Sequence, residues 1–129
     1  MPNKKIGFLI KQVFYLHEQH LNKQFSKFGL TASQTFTLIY LFKSHDKGIS
    51  VNQKDIEKEL DISNPTVTGI LNRLEVKGLI TRVPCRHDAR AKNIEVTEKA
   101  LELDKQLRIV FQQSDEKLVE SLSTDEIQH

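Results

Sequence analysis

Hydroxyl, amide and guanidinium side chains gathered between residues 63 and 73 offer the most distinctive chemistry in the sequence. Apolar residues of the same stretch recur at spacings of three and four, which predicts one buried side of an α-helix; they are Val67, Ile70, Leu71 and Leu74. The opposite side is polar and nearly free of apolar bulk, and it carries Pro65, Thr68, Gly69, Asn72 and Arg73. Such a face can exchange hydrogen bonds with a polar surface.

A second group of polar and basic residues lies in a segment that alternates with the period of two expected for β-strands. The alternating residues are Thr81 and Val83 around Arg82, and then Ile94 and Val96 with Asn93 and Glu95. We expect a β-hairpin whose connection, residues 84–91, is longer than a tight turn and exposed at its tip. The charged or reactive side chains of the connection and of the position after it are Cys85, Arg86, His87, Asp88, Arg90 and Lys92.

Helices must position both groups, and the first of them precede residue 47. Apolar periodicity predicts a long helix over roughly residues 4–27, ended by Gly29. Thr31 and Gln34 have the spacing of a capping box and predict the start of a second helix. A polar loop follows over residues 44–48.

A short third helix and the polar-faced helix follow one another closely. Ser50 and Gln53 repeat the capping-box spacing before the short helix, which Asp61 and Ile62 interrupt. Next, Ser63 or Asn64 can cap the polar-faced helix and Pro65 can occupy its first turn, so that it runs to about Lys77 and ends at Gly78. Two helices joined by so short a break are what a helix-turn-helix needs, since its second helix must fit a major groove about 12 Å wide, but generic helical hairpins share much of this pattern.

The end of the chain predicts further helix. Thr97 can cap a long helix that carries apolar residues around its circumference. Residues 123–126 read Ser-Thr-Asp-Glu, another capping box, so we expect a new helix to begin there and a final helix to be missing from this sequence.

Length and composition exclude several classes of protein. A chain of 129 residues predicts one domain, and its single cysteine, Cys85, excludes an internal disulfide and a Cys-rich zinc site. No apolar run reaches the roughly 20 residues that span a bilayer, and no signal peptide is recognisable, so we expect a cytoplasmic protein without a membrane partner. Residues 62–92 carry six Lys or Arg against two Asp or Glu, whereas residues 93–129 carry four against nine. A basic centre is compatible with nucleic acid, although a solvated surface explains it almost as well.

The order of these elements resembles the multiple-antibiotic-resistance regulator (MarR) family of winged-helix transcription factors. The matching motifs are Leu74-Glu75-Val76-Lys77-Gly78-Leu79-Ile80, Asp88-Ala89-Arg90, Ile94-Glu95-Val96-Thr97 and Ser63-Asn64-Pro65-Thr66-Val67-Thr68-Gly69-Ile70. The likeness covers essentially the whole chain. It departs mildly at Ala89, Val96 and Ala100, where the family often has Arg, Leu and Gly.

This resemblance implies a mainly α fold with a small β-hairpin wing, that is, a winged helix-turn-helix flanked by long N- and C-terminal dimerisation helices. Residues 1–29 and 98–129 would form the dimerisation helices, and residues 30–97 the DNA-binding lobe. The protein would be a homodimer that binds a pseudo-palindromic operator in double-stranded DNA. It would act as a ligand-responsive repressor, released when a small-molecule effector enters between the dimer helices and the lobes.

By the same resemblance, residues of the second helix and of the wing bind DNA: Ser63, Asn64, Pro65, Thr66, Thr68, Gly69, Asn72, Arg73, Arg86, Asp88, Arg90 and Lys92. We expect Arg73 to meet phosphate and Arg90 to enter the minor groove. Asp88 is too negative to touch DNA, so it would orient Arg90 or pair with Arg73.

Other interpretations of these residues stay open. The winged helix could bind protein instead of DNA, and Cys85, near Arg82, Arg86 and His87, could be a redox-sensing thiol. Several side chains could serve as metal ligands, but without a thiolate or second cluster we expect no metal and no other cofactor; they are His17, Glu18, His20, His45 and Asp46. No catalytic triad, phosphate loop or paired-carboxylate cleft is discernible, so we expect no enzyme.

Overall fold

The described part of the chain, residues 2–85 and 91–127 of a computed structural model, forms five helices and one hairpin of two strands. In chain order the elements are α1 (Pro2–Lys27), α2 (Ala32–Asp46), α3 (Gln53–Leu60), α4 (Asn64–Val76), β1 (Ile80–Pro84), β2 (Lys92–Val96) and α5 (Glu98–Ile127). The predicted mainly α fold with a β-hairpin wing is therefore confirmed. Residues 32–105 form one compact unit, and residues 1–31 with 106–129 form another.

The break between α3 and α4 depends on one residue in the left-handed region. Asp61 has φ 52° and ψ 51°, and its backbone N–H donates to the carbonyl of Glu57. Only a residue with a short polar side chain, or glycine, adopts this conformation readily. α4 therefore starts three residues later, as the sequence predicted.

The start of α3 differs from the prediction. Asn52, not Ser50, caps the helix: its Oδ1 accepts from the backbone N–H of Asp55 at 2.9 Å, and the Asp55 carboxylate accepts from the backbone N–H of Asn52 at 2.9 Å. The predicted capping box of Ser50 and Gln53 was wrong because the residues just before α3, Val51 and Asn52, pair with strand β2. Val51 accepts from the N–H of Ile94 at 2.7 Å, and Asn52 forms a bridge with Asn93.

The core of the 32–105 unit confirms the apolar stripe of α4, since all four predicted residues are buried. The other buried apolar residues of the unit are Leu38, Leu41, Phe42, Val51, Ile56, Leu79, Ile80, Ile94 and Ala100. Ser63 precedes α4 and Pro65 lies in its first turn, as predicted, although the Ser63 hydroxyl makes no capping hydrogen bond. Gly78, at φ 75°, ends the helix.

The hairpin places an arginine on its inner side. In the antiparallel register Ile80 pairs with Val96 and Arg82 pairs with Ile94. Ile80 and Ile94 are buried, whereas Thr81 and Val83 are exposed. Arg82 thus shares the inner face of the hairpin, where its aliphatic stem can lie along apolar neighbours.

Thr97 fastens the first turn of α5 to the end of α4. Its hydroxyl oxygen accepts from the backbone N–H of Ala100 at 3.2 Å, which confirms the predicted cap. The same hydroxyl donates to the carbonyl of Gly78 at 2.7 Å, and the Nζ of Lys99 donates to the carbonyl of Lys77 at 2.7 Å. Two carbonyls beyond the last turn of α4 are satisfied in this way.

The other unit combines α1 with the later part of α5. The rings of Phe25 and Phe111 lie 5.6 Å apart between centroids, and Val13, Phe25, Leu30, Leu107 and Val110 are buried. Much of the apolar surface of α1 is nevertheless exposed, including Phe8 at 66%. The exposed large apolar side chains of α1 are Ile6, Phe8, Ile10, Phe14, Tyr15 and Leu16.

No new helix begins at residue 123, because α5 is continuous from Glu98 to Ile127. The predicted capping box was wrong: Ser, Thr, Asp and Glu can cap a helix but also fit inside one, and no Gly or Pro interrupts this stretch. The expectation of a missing final helix loses this support and stays a prediction. Among the described helices, none is long and apolar enough to cross a bilayer.

Candidate nucleic-acid interface

The polar side of α4 is open to solvent along most of its length. Pro65, Asn72 and Arg73 are exposed, as the sequence predicted, and so are Ser63, Asn64 and Thr66 at the start of the helix. Thr68 and Gly69, which the sequence placed on the exposed side, are half-buried. Thr68 is covered by Gln53 of α3, and the guanidinium of Arg73 lies against Gly69.

α3 holds the N-terminal half of α4 through two side chains. The Nε2 of Gln53 donates to the Thr68 hydroxyl at 2.8 Å and also to the backbone carbonyl of Asn64 at 3.3 Å. The Asn64 amide in turn donates to the Glu57 carboxylate at 2.9 Å. Thr68 and Asn64 therefore fix the angle between the two helices, in addition to any contact that they make outside the protein.

Two hydroxyls at the start of α4 face each other. The Oγ atoms of Ser63 and Thr66 lie 2.9 Å apart, and both residues are exposed. Either hydroxyl can be the donor, so this pair can offer an outside partner a donor or an acceptor.

The cation most available on this face is Arg73. A Cβ built on Gly69 would lie 3.3 Å from a terminal nitrogen of Arg73, so the guanidinium lies across this glycine. Among residues 2–85 and 91–127, no hydrogen bond or ion pair of the Arg73 side chain is present. A guanidinium held over a helix face without a carboxylate partner suits an anion such as phosphate.

Asn72 accepts a hydrogen bond from an arginine of the hairpin. A terminal nitrogen of Arg82 donates to the Oδ1 of Asn72 at 2.7 Å, and the Nε of Arg82 lies 3.6 Å from the Glu75 carboxylate. The Arg82 side chain is only 23% exposed, and its Nε is a buried atom without a hydrogen bond. Through these two contacts, Arg82 joins β1 of the hairpin to α4.

The predicted wing residues are only partly described. Arg86, Asp88 and Arg90 lie outside the described residues, whereas Lys92 is exposed at the start of β2, opposite Pro84. Cys85 closes the described part of the connection, because its backbone N–H donates to the carbonyl of Ala91 at 2.8 Å. Its Sγ donates to the Oδ1 of Asn93 at 3.2 Å.

Sequence reasoning missed Gln53 and Arg82, the two residues that position this face. Gln53 was interpreted as half of a capping box, which hid its tertiary role. For Arg82 a signal was available. It lies two residues after Ile80, and side chains two apart on a strand point to the same face, so a strand that buries Ile80 turns Arg82 to the same side.

The residues weighed as metal ligands occupy two helices. His17, Glu18 and His20 lie on α1, and His45 and Asp46 lie at the end of α2. Within the described ranges no three His, Cys, Asp or Glu side chains gather around a common point. The metal interpretation therefore gains no geometric support there.

Comparison with known proteins agrees with the winged helix-turn-helix architecture. A profile of the MarR family matches residues 28–91. The structure of MepR, a transcription regulator of the Staphylococcus aureus multidrug efflux pump MepA, is 30% identical and superposes with a TM-score of 0.81, covering 95% of this chain and 87% of that one.

Two further structures are similar over almost the whole chain. The S. aureus MepR-DNA complex is 31% identical with a TM-score of 0.76, over 95% of this chain and 88% of that one. Wild-type MarR from E. coli in its apo form is 25% identical with a TM-score of 0.75, over 94% of this chain and 87% of that one. With its helix-turn-helix, its hairpin and these matches, the chain belongs to the MarR family.

Proposed function

We propose that this protein is a sequence-specific DNA-binding transcription regulator in which α4 enters the major groove and the hairpin lies along the flanking DNA. The observation that carries the proposal is the exposed polar side of α4, fixed by Gln53 from α3 and by Arg82 from β1. An α-helix is about 10–12 Å across with its side chains, which matches the width of the groove. MepR, a family member whose structure was solved with DNA, supports this assignment.

The proposed contacts follow from position and chemistry. Arg73 binds phosphate, because its guanidinium is exposed and has no partner among the described residues. Ser63, Asn64, Pro65, Thr66, Thr68, Gly69 and Asn72 face base edges or the adjacent backbone. In the wing, we propose that Lys92 and Arg86 contact the backbone and that Arg90 enters the minor groove, with Asp88 either orienting Arg90 or pairing with Arg73.

The protein is proposed to act as a homodimer. Six large apolar side chains of α1 are exposed in the single chain, more than a solvated helix needs, and Ile109 and Val119 of α5 are exposed as well. A second copy would cover this surface. Residues 1–29 and 98–129 are the proposed dimerisation segments, and residues 30–97 the DNA-binding lobe, so that a two-fold dimer would read a pseudo-palindromic operator.

Repression, and release by a small-molecule effector, complete the proposal. They rest on family membership. A binding function explains an exposed polar helix face with a basic flank, and it requires neither catalysis nor a cofactor.

The test is a fluorescence anisotropy titration of the full chain against duplex DNA from its own upstream region and against a scrambled duplex, over a salt series. We expect preference for the native duplex and a steep loss of affinity with salt, because phosphate contacts release counterions. Arg73→Gln should weaken binding to both duplexes and make the salt dependence shallower by about one phosphate contact.

The matched control is Lys105→Gln, which removes one positive charge from α5; among the residues that the structure describes, Lys105 pairs with Glu102 alone, at 3.4 Å on the same helix face. We expect it to bind like the wild type. Equal weak binding of the wild type to both duplexes, without a salt slope, would instead favour a winged helix that binds protein.

A further inference from the structure

Asn72 and Arg82 form a pair whose chemistry limits what Asn72 can read. The guanidinium donates to the amide oxygen of Asn72 at 2.7 Å, and Asn72 itself is exposed on the polar side of α4. Because the Arg82 guanidinium has donors only, it can face only the oxygen of the amide. The orientation of the Asn72 side chain is thus fixed by chemistry.

The amide NH₂ of Asn72 points away from this bond and is available. No hydrogen bond of this NH₂ is present within residues 2–85 and 91–127. The Glu75 carboxylate, about one turn further along α4 than Asn72, lies 3.6 Å from the Nε of the same guanidinium. Asn72 therefore presents donors to an outside partner, with a positive charge beside its oxygen.

This arrangement matters for base recognition. An asparagine that reads adenine uses both ends of its amide, donating to N7 and accepting from the N6 amino group. Beside Arg82, that amino group would have to approach an oxygen that already accepts from a cation. Guanine offers N7 and O6, two acceptors, and so fits a donor group next to a positive charge.

We propose that Arg82 is a specificity-determining positioning residue: it makes Asn72 a hydrogen-bond donor, so that the base opposite Asn72 in each half-site is guanine in preference to adenine. The inference rests on the proposed function, since it assumes that α4 lies in the major groove. It concerns which base is chosen, whereas the proposed function concerns whether DNA is bound at all.

The experiment is selection from a randomised duplex DNA library by the full wild-type chain and by Arg82→Met, which keeps an unbranched apolar stem but removes the guanidinium and its donors. We expect the wild type to select guanine at one position of each half-site. In Arg82→Met the ratio of guanine to adenine at that position should fall by about tenfold, as expected for one bidentate contact, with the other positions unchanged. A loss of folding alone would lower binding at every position equally.

Two more variants keep the test decisive if Arg82→Met is unstable. Asn72→Asp replaces the donors with acceptors and should abolish the preference for guanine, whereas Glu75→Gln leaves the hydrogen bond between Asn72 and Arg82 in place and should keep it. Sequence-specific binding with an unchanged base profile in Arg82→Met or Asn72→Asp would overturn the role of Arg82 and leave the proposed function standing. A wild type that selects no sequence would overturn both.

Discussion

The Nε2 of Gln53 donates to the Thr68 hydroxyl over 2.8 Å, and this hydrogen bond joins the first turn of α3 to the middle of the polar side of α4. Gln53 is half-buried, and the same nitrogen also contacts the carbonyl of Asn64. One side chain thus sets the position of the helix that we propose to enter DNA.

Gln53→Leu should remove this connection at nearly constant volume. We expect the free energy of unfolding to fall by about 1 kcal/mol, because a partly buried hydrogen bond is lost, and the DNA affinity to fall for all sequences alike. Urea denaturation and anisotropy measure the two effects. Unchanged stability and unchanged affinity in Gln53→Leu would contradict this role of Gln53.

Thr97→Val should destabilise the protein more strongly. The hydroxyl of Thr97 both accepts from Ala100 and donates to Gly78, so its removal loses a helix cap and leaves a carbonyl without its partner. We expect a loss of about 1–3 kcal/mol in the free energy of unfolding. Thr81→Val makes the same chemical change at an exposed position of β1 and should shift stability by less than about 0.5 kcal/mol. Equal effects of the two substitutions would contradict the role of Thr97.

Stability should decrease at alkaline pH because of Tyr40. Its pKa lies above the usual value of about 10, first because burial disfavours the phenolate and then because Asp55 and Glu59 are nearby. The folded state therefore holds the phenol proton more tightly than the unfolded state does. The contribution of Tyr40 to the free energy of unfolding is therefore fully present below about pH 10 and is lost as the pH rises through the raised pKa.

The measurement is urea denaturation between pH 8 and 11 for the wild type and for Tyr40→Phe. We expect the phenylalanine variant to lose less stability over this range, since it has no proton to release. A parallel decrease in both proteins would show that other groups cause the alkaline loss.

Cys85 should not act as a redox switch. Its thiol donates to the Oδ1 of Asn93 at the loop end of the hairpin, and the chain has no second cysteine with which it could form an internal disulfide. We therefore expect Cys85→Ser to bind DNA like the wild type, and peroxide to leave the wild-type affinity unchanged. If peroxide abolished wild-type binding and Cys85→Ser resisted it, the thiol-sensing interpretation would be correct.

The sequence predicted the elements whose signals are local. The stripe of Val67 and Ile70 follows from helical periodicity, and the cap at Thr97 follows from one hydroxyl in the right place. The break at Asp61 was recognisable because two polar-capped segments adjoin there. These features depend on residues within a turn or two of each other.

What the sequence did not predict depends on long-range pairing. Asn52 caps α3 only because the preceding residues pair with β2, about 40 positions later in the chain, and no local pattern reports that pairing. Likewise, Arg82 contacts Asn72 across two elements. The false helix start predicted at Ser123 is the opposite error. The capping motif is present in the local sequence, but the helix continues through it.

The hydrogen bond between Ile94 and Val51 also has a consequence for the order in which the protein can fold during its synthesis. Residues 50–52 reach the ribosome exit long before β2 does, and until Ile94 emerges nothing holds them extended. The nascent helix-turn-helix therefore has a loose N-terminal end while the hairpin is still being made. The contacts between residues 51–52 and β2 can therefore form only after most of the lobe has left the ribosome.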